Sequence, residues 1–226
     1  MKSELSMFQR QIELLGTDCQ SKIADTVILV AGIGGLGSVV AESLVRFGVQ
    51  KIYIVDNGLV DAPDLNRQIL YTYKDIGRPK VLVAKERLSS INPSCEIVPM
   101  DEKISESFEL PNDVDGVADC LDNFADRFTL AELAWNKGIF LVHGGINGFW
   151  GQITSIVPNK SPKMKDLFAG VDEERQQVQV IMPTSGIVAL LQSLEIVKLI
   201  CGIEPNLIGK LLLIDLLNYD FDKIEV

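Results

Sequence analysis

The residues best suited to chemistry stand where an apolar run gives way to glycines. Gly32, Gly34 and Gly37 follow Thr26 to Ala31, a β-branched and aliphatic segment, and precede an amphipathic stretch ending at Phe47 and Gly48. Bare glycines between a strand and a helix let the backbone approach a phosphate, and the helix N-terminus adds partial positive charge. Asp56 closes the next apolar run, Lys51 to Val55, at a place where a carboxylate can accept hydrogen bonds from ribose hydroxyls. This set predicts an adenine nucleotide site; the alternative is a tight glycine turn with no ligand. Arg67 with Gln68, then Lys80, then Asp122 fall just beyond the carboxyl ends of predicted strands, and Arg10 lies on a helix that precedes them. Three cations and one carboxylate suit a triphosphate with magnesium better than a dinucleotide pyrophosphate. Taken singly, each cation has the plainer reading of a solvated face.

These residues need a doubly wound frame to bring them together. The strand–turn–helix–strand order from Thr26 to Val55 predicts a right-handed βαβ unit. Pro79 starts a helix with apolar positions Val81, Val83, Ala84, Leu88 and Ile91, ended by Asn92-Pro93. Short strands are expected at Cys95 to Pro99, Gly116 to Cys120 and Ile139 to Val142, with a helix over Asn123 to Lys137 and a turn rich in glycine at Gly144, Gly145 and Gly148. Gln152 to Val157 alternates like a strand. Asn159 to Met182 reads as a polar loop, Pro183 to Cys201 as a helix, and Lys210 to Leu217 and Asn218 to Val226 as two strands joined tightly. The expectation is one α/β domain over 1–226, Rossmann-like, with a parallel first half and an antiparallel end.

Composition narrows the function. The 226 residues carry 31 acids against 21 bases, a net charge of −10, which argues against nonspecific nucleic-acid binding and against docking on anionic lipid. The start lacks the apolar core of a signal peptide, and Ile187 to Cys201 reads as too short and too polar to span a bilayer, so a cytoplasmic protein is expected. Cys19, Cys95, Cys120 and Cys201 stand far apart without the paired spacing of a four-thiolate zinc site; they read as isolated apolar core thiols. A single histidine, His143, makes a His-ligated metal site unexpected and reads as a packing or backbone-bonding residue on the ligand side of the sheet. Trp135 reads as core or helix surface, and Trp150 as packing, with lining of a substrate channel as the alternative.

As a set, these motifs resemble the ubiquitin-activating-enzyme-like adenylyltransferases of the HesA/MoeB/ThiF family. The matching pieces are Phe8 to Ile12, Ala31 to Gly37, Val55-Asp56, Asn66-Arg67-Gln68, Gly77 to Lys80, Ile91 to Pro93, Asp119 to Asn123, Trp150 to Ile153 and Ser193 to Lys198. The resemblance implies adenylation, with MgATP, of the C-terminal glycine of a small ubiquitin-like sulfur-carrier protein ending in Gly-Gly, with release of pyrophosphate. By motif, Gly32, Gly34, Gly35 and Gly37 would line the nucleotide with Asn66 and Leu121, and Asp56 would bind the ribose. Arg67, Gln68 and Lys80 would hold phosphates, and Asp122 would ligate magnesium. Arg10 would act from the other subunit of a homodimer. The nucleotide-binding half would cover about 20–145 and the carrier-binding half about 146–226.

The departures also matter. Many relatives carry two CxxC pairs that bind zinc and a cysteine in the loop before the last long helix; neither is written here, so no zinc and no direct sulfur transfer are expected. Gly58 and Asp64 stand where relatives more often have Asp and Asn, so the loop after Asp56 is expected to bind ribose or metal differently. Three alternatives stay open: a tRNA-modifying ATP-dependent dehydratase of the same superfamily, an NAD-dependent oxidoreductase, and a degenerate carrier-binding subunit without turnover. The Asp172 to Arg175 run reads as a solvated part of a loop.

Overall fold

A computed structural model of the chain describes residues 2–171 and 179–226, so the Asp172 to Arg175 run lies outside the described residues. Two helices, α1 (Lys2–Leu15) and α2 (Thr17–Ala24), lead into β1 (Val27–Ala31), α3 (Gly37–Phe47) and β2 (Lys51–Val55). Two single turns of 3₁₀-helix, Ala62–Asn66 and Tyr73–Asp75, precede α4 (Lys80–Ile91), β3 (Glu96–Met100), β4 (Gly116–Asp119) and α5 (Phe124–Lys137). The remainder is β5 (Phe140–Asn147), β6 (Trp150–Ile156), α6 (Met164–Leu167), α7 (Met182–Cys201), β7 (Lys210–Asp215) and β8 (Asp220–Glu225).

One sheet runs through both halves of the chain, in the order β3-β2-β1-β4-β5-β6-β7-β8. The pairs from β3 to β5 are parallel and those from β5 to β8 antiparallel, the arrangement expected from the sequence. Strand β1 is buried throughout, and its side chains alternate between two cores. Ile28 and Val30 face the layer that holds α3, α4 and α7, whereas Val27, Leu29 and Ala31 face the layer that holds α5. The chain leaves β1 for α3 on one face and β4 for α5 on the other. A crevice therefore opens at the carboxyl ends of β1 and β4, where strand order reverses.

Several sequence expectations are corrected. Gly144 and Gly145 lie inside β5, not in a turn: a Cβ at Gly144 would sit 2.6 Å from Gln192 Oε1, so the glycine is there for the close approach of α7. Gly148 makes the turn to β6. The loop expected over 159–182 contains α6, and Val180 bridges to Gly148. Trp150 is 56% exposed and so is not a packing residue, while Trp135, on α5, packs half-buried against the core.

Helix α7 is 20 residues long, longer than the apolar stretch read as too short to span a bilayer, and is apolar enough by length and composition to cross one. Here it packs as a core helix: of the polar residues that interrupt its apolar run, Gln192, Ser193 and Glu195 are buried with partners, and Lys198 is half-buried beside Glu195. Gln192 Nε2 donates to the carbonyls of Asp119 and Val142, both at 2.9 Å, and Glu195 Oε1 accepts from Ser155 Oγ at 2.7 Å and the Leu207 N–H at 2.6 Å.

The cysteines are not four isolated thiols. Packing of α2 on α7 brings Cys19 and Cys201 together, and they form a disulfide across 182 residues of chain. Cys95 and Cys120 are free and buried; burial pushes the Cys95 thiol up to about 12 and the Cys120 thiol higher still, so neither is a reactive thiolate.

The His143 ring is neither only packed nor bonded to backbone: its nitrogens meet the side chains of Asp119 and Gln152. Beneath the β4–α5 turn, Arg127 Nη1 donates to Asp119 Oδ2 at 2.9 Å and to the Gly144 carbonyl at 2.8 Å, while Nη2 donates to the Leu121 carbonyl. His143 Nδ1 lies 2.7 Å from Asp119 Oδ2, and Gln152 Nε2 donates to His143 Nε2 at 3.0 Å. Burial alone would raise the Asp119 carboxyl, but the Arg127 charge and His143 outweigh it and hold it below its ordinary range. Burial and the Arg127 charge push His143 down against the pull of Asp119, which keeps the ring neutral at pH 7.

Two outcomes are expected. Denatured without reductant, the protein should titrate two thiols rather than four, and replacing Cys19 or Cys201 by serine should cost about 2–5 kcal/mol in chemical denaturation. Arg127→Leu should cost about 3–5 kcal/mol in the same assay, because it strands the Asp119 carboxylate in the interior. A loss below about 1 kcal/mol would remove the pair from its structural role.

Candidate functional site

The crevice is built from the glycine turn outward. A Cβ at Gly37 would fall 1.8 Å from the Gly32 carbonyl oxygen, so only glycine permits this turn to close on itself. The turn delivers the chain into α3, whose first residue is Gly37, so the positive end of the helix stands at the crevice edge. Across it, the Ile33 N–H donates to Asp56 Oδ2 at 2.9 Å and the Gly58 N–H donates to Asp56 Oδ1 at 2.7 Å. Asp56 thus joins the turn to the loop after β2. Each of its oxygens keeps a second acceptor position, as a ribose diol requires.

The loop between β2 and α4 folds back over the glycines. Tyr71 is buried and its O–H donates to the Ile33 carbonyl at 2.8 Å, which fixes the loop on the turn. Gln68 Nε2 would lie 3.6 Å from a Cβ at Gly34, and Arg67 Cγ 3.4 Å from a Cβ at Gly35. The Lys80 stem passes over Gly58 at 3.5 Å by the same measure, and the Lys80 N–H donates to the Gly58 carbonyl at 2.9 Å. Asn66 is exposed and accepts from Arg67 Nη1 at 2.9 Å.

Three of the predicted phosphate ligands meet on one carboxylate. Lys80 Nζ lies 3.1 Å from Asp64 Oδ2, Gln68 Nε2 donates to Asp64 Oδ1 at 2.7 Å, and Arg67 Nη2 stands 3.6 Å from Asp64 Oδ1. The opposite wall is the β4–α5 turn. Cys120 Cβ would touch a Cβ at Gly37 at 3.4 Å; Leu121 is half-buried, and Asp122 is exposed and accepts from Asn123 Nδ2 at 3.4 Å. The sequence spacing therefore brings Gly32, Gly34, Gly35, Gly37, Asp56, Asn66, Arg67, Gln68, Lys80, Leu121 and Asp122 to one end of the sheet.

Arg10 does not join them within this chain. Helix α1 docks at the far end of α3, where the Phe8 ring covers Gly48 and Gln11 Nε2 donates to the Phe47 carbonyl at 2.8 Å. That end is about 16 Å from the glycine turn, at 1.5 Å rise per residue, and Arg10 points outward, exposed. Sequence reasoning missed Tyr71, Arg127 and the role of Asp64. Arg127 carried a weak signal, one turn into a helix that begins just after Asp122.

The donors fit a magnesium nucleotide. The surrounding cations, amide and backbone N–H groups match phosphate oxygens, and Gln68 Oε1, a buried acceptor with no partner among the described residues, suits a hydroxyl or a metal-bound water. Among the described residues no group of three or more His, Cys, Asp or Glu is gathered to hold a metal. A magnesium ion at Asp122 would thus complete its coordination from phosphates and water, its ordinary habit.

A family model described as the ThiF family matches residues 8–226. "Protein HesA" of Leptolyngbya boryana is 34% identical over 99% of this chain and 83% of its own length. "Sulfur carrier protein adenylyltransferase" of Thermus thermophilus is 33% identical over all of this chain and 88% of its own. Among solved structures, E. coli MccB with MccA-N7isoASN superposes with a TM-score of 0.87 at 18% identity, over 97% of this chain and 72% of that one; at this identity the likeness speaks for the fold. The family model spans nearly the whole chain, and relatives a third identical are matched over most of their own length: the chain belongs to the ThiF family.

Proposed function

We propose that this protein is an ATP-dependent adenylyltransferase that activates the C-terminal glycine carboxylate of a small ubiquitin-like sulfur-carrier protein. The observation that carries this reading is the gathering of Lys80, Arg67 and Gln68 beside the glycine turn and Asp56, at the reversal of strand order. The name of the Thermus thermophilus relative, a sulfur carrier protein adenylyltransferase, supports the substrate class.

The chemistry needs no protein nucleophile. A carrier carboxylate oxygen forms a bond to the α-phosphorus of ATP, the bond from that phosphorus to the β-bridging oxygen breaks, and pyrophosphate leaves with the electron pair. Lys80 and Arg67 would neutralise the phosphate charge, Asp56 would orient the ribose, and Asp122 would hold magnesium, which withdraws charge from phosphate oxygens when bound. Catalysis is then positioning and charge neutralisation. The outward Arg10, docked far from its own crevice, suits delivery to the crevice of a second copy in a homodimer.

Incubation with ATP, labelled pyrophosphate and a carrier ending in Gly-Gly should give exchange. Asp122→Ala should abolish it, and Lys80→Ala should lower kcat/KM about 10²–10³-fold. Exchange that survives Asp122→Ala would remove that residue from metal binding. If Arg10 acts across a dimer, mixing inactive Arg10→Ala and Asp122→Ala proteins should restore roughly a quarter of the activity by statistical pairing of a twofold dimer. No recovery would place Arg10 elsewhere.

A further inference from the structure

Asp64 has no place in the reaction above, yet its carboxylate sits at the centre of the groups that reaction requires. It is 13% exposed and receives three donors, Lys80 Nζ at 3.1 Å and the Asp61 N–H at 3.1 Å on Oδ2 and Gln68 Nε2 at 2.7 Å on Oδ1, with the Arg67 guanidinium in ion-pair range of Oδ1 at 3.6 Å. A phosphate group asks for the same set: two cations, an amide and a backbone N–H. Arg67 is turned back as well, its Nη1 donating to the Pro63 carbonyl at 2.8 Å and to Asn66 Oδ1 at 2.9 Å. The cations of the crevice are therefore spoken for in the free protein.

We infer that Asp64 is an internal stand-in for phosphate that sets the affinity and phosphate selectivity of the crevice. An incoming polyphosphate takes Lys80 and Arg67 from Asp64, and the carboxylate is left beside like charge. Both effects weaken binding in proportion to phosphate charge. Adenosine, which carries no phosphate, meets neither. An asparagine at 64 keeps an oxygen for the Asp61 N–H, so the 3₁₀ turn that Asp61 caps stays closed, but it holds the cations far less strongly.

This inference rests on the nucleotide reading of the crevice, and calorimetry separates the two. Adenosine, AMP, ADP and ATP, the last two with magnesium, are titrated into the full protein and into Asp64→Asn. The expected result is unchanged adenosine binding, with a gain in Asp64→Asn that rises along the series to about tenfold or more for ATP and shrinks at high salt. Lys80→Ala should cost more ATP affinity in the Asp64→Asn background than in the parent, because only there is Lys80 uncommitted. Equal ATP binding by the two proteins would overturn the inference and leave the nucleotide reading standing. Weaker MgATP binding by Asp64→Asn would also overturn it, and would move Asp64 to the metal. If neither protein binds any of the four probes, the nucleotide reading falls and takes the inference with it. A thermal melt of Asp64→Asn matching the parent shows that the affinities compare like folds.

Discussion

The ligand edge of this sheet depends on one buried ion pair. At the end of β4 the chain must stop pairing with β1 and β5, cross the sheet and enter α5, and its carbonyls and N–H groups lose their ladder partners on the way. Arg127 supplies what is missing. Its guanidinium spans the Asp119 carboxylate and the carbonyls of Leu121 and Gly144, so one planar fork ties β4, the turn and β5 together. Such a pair is costly to desolvate and is stable only when every remaining donor and acceptor is used. His143, Gln152 and the Leu121 N–H complete that accounting around Asp119 and the ring. The turn so held is the one that carries Asp122 and closes against the glycines through Cys120.

The two walls of the crevice are held by different physics. The β4–α5 wall is fixed by buried charge and by α7, whose Gln192 reaches the carbonyl of Asp119. The wall between β2 and α4 is fixed by local turn chemistry, with caps at Asp61 and Thr72 and the Tyr71 hydroxyl on the Ile33 carbonyl. Its cations are exchangeable because they bond to a partly exposed carboxylate and not to the buried frame. A rigid wall bearing Asp122, facing a wall whose charges can change partner, would suit a site that grips a polyphosphate and then releases one of its pieces.

Much of this was legible in the sequence. The order of strands and helices followed from apolar runs, Gly48 and Gly138 at helix ends, and Pro79 and Pro183 at helix starts. The ligand edge followed because residues at strand carboxyl ends must share one side of a parallel sheet. What was not legible depends on contacts distant along the chain. Gly144 and Gly145 looked like a turn because the sequence does not reveal that α7 lies against them. Cys19 and Cys201 looked isolated because only the packing of α2 on α7 makes them neighbours. Asp119 reads as one residue of a strand and His143 as a packing or backbone-bonding residue, since Arg127, which joins them, arrives from the next helix. Asp64 was visible as a departure from its family, but its grip on Lys80 was not.

Everything proposed for the crevice depends on where a nucleotide sits. A crystal structure with magnesium and a non-hydrolysable ATP analogue tests that directly. It should show the ribose hydroxyls on Asp56, the phosphates on Lys80 and Arg67 with both drawn off Asp64, and the metal on Asp122. A nucleotide bound away from the glycine turn, or phosphates held in the crevice while Lys80 stays on Asp64, would contradict it.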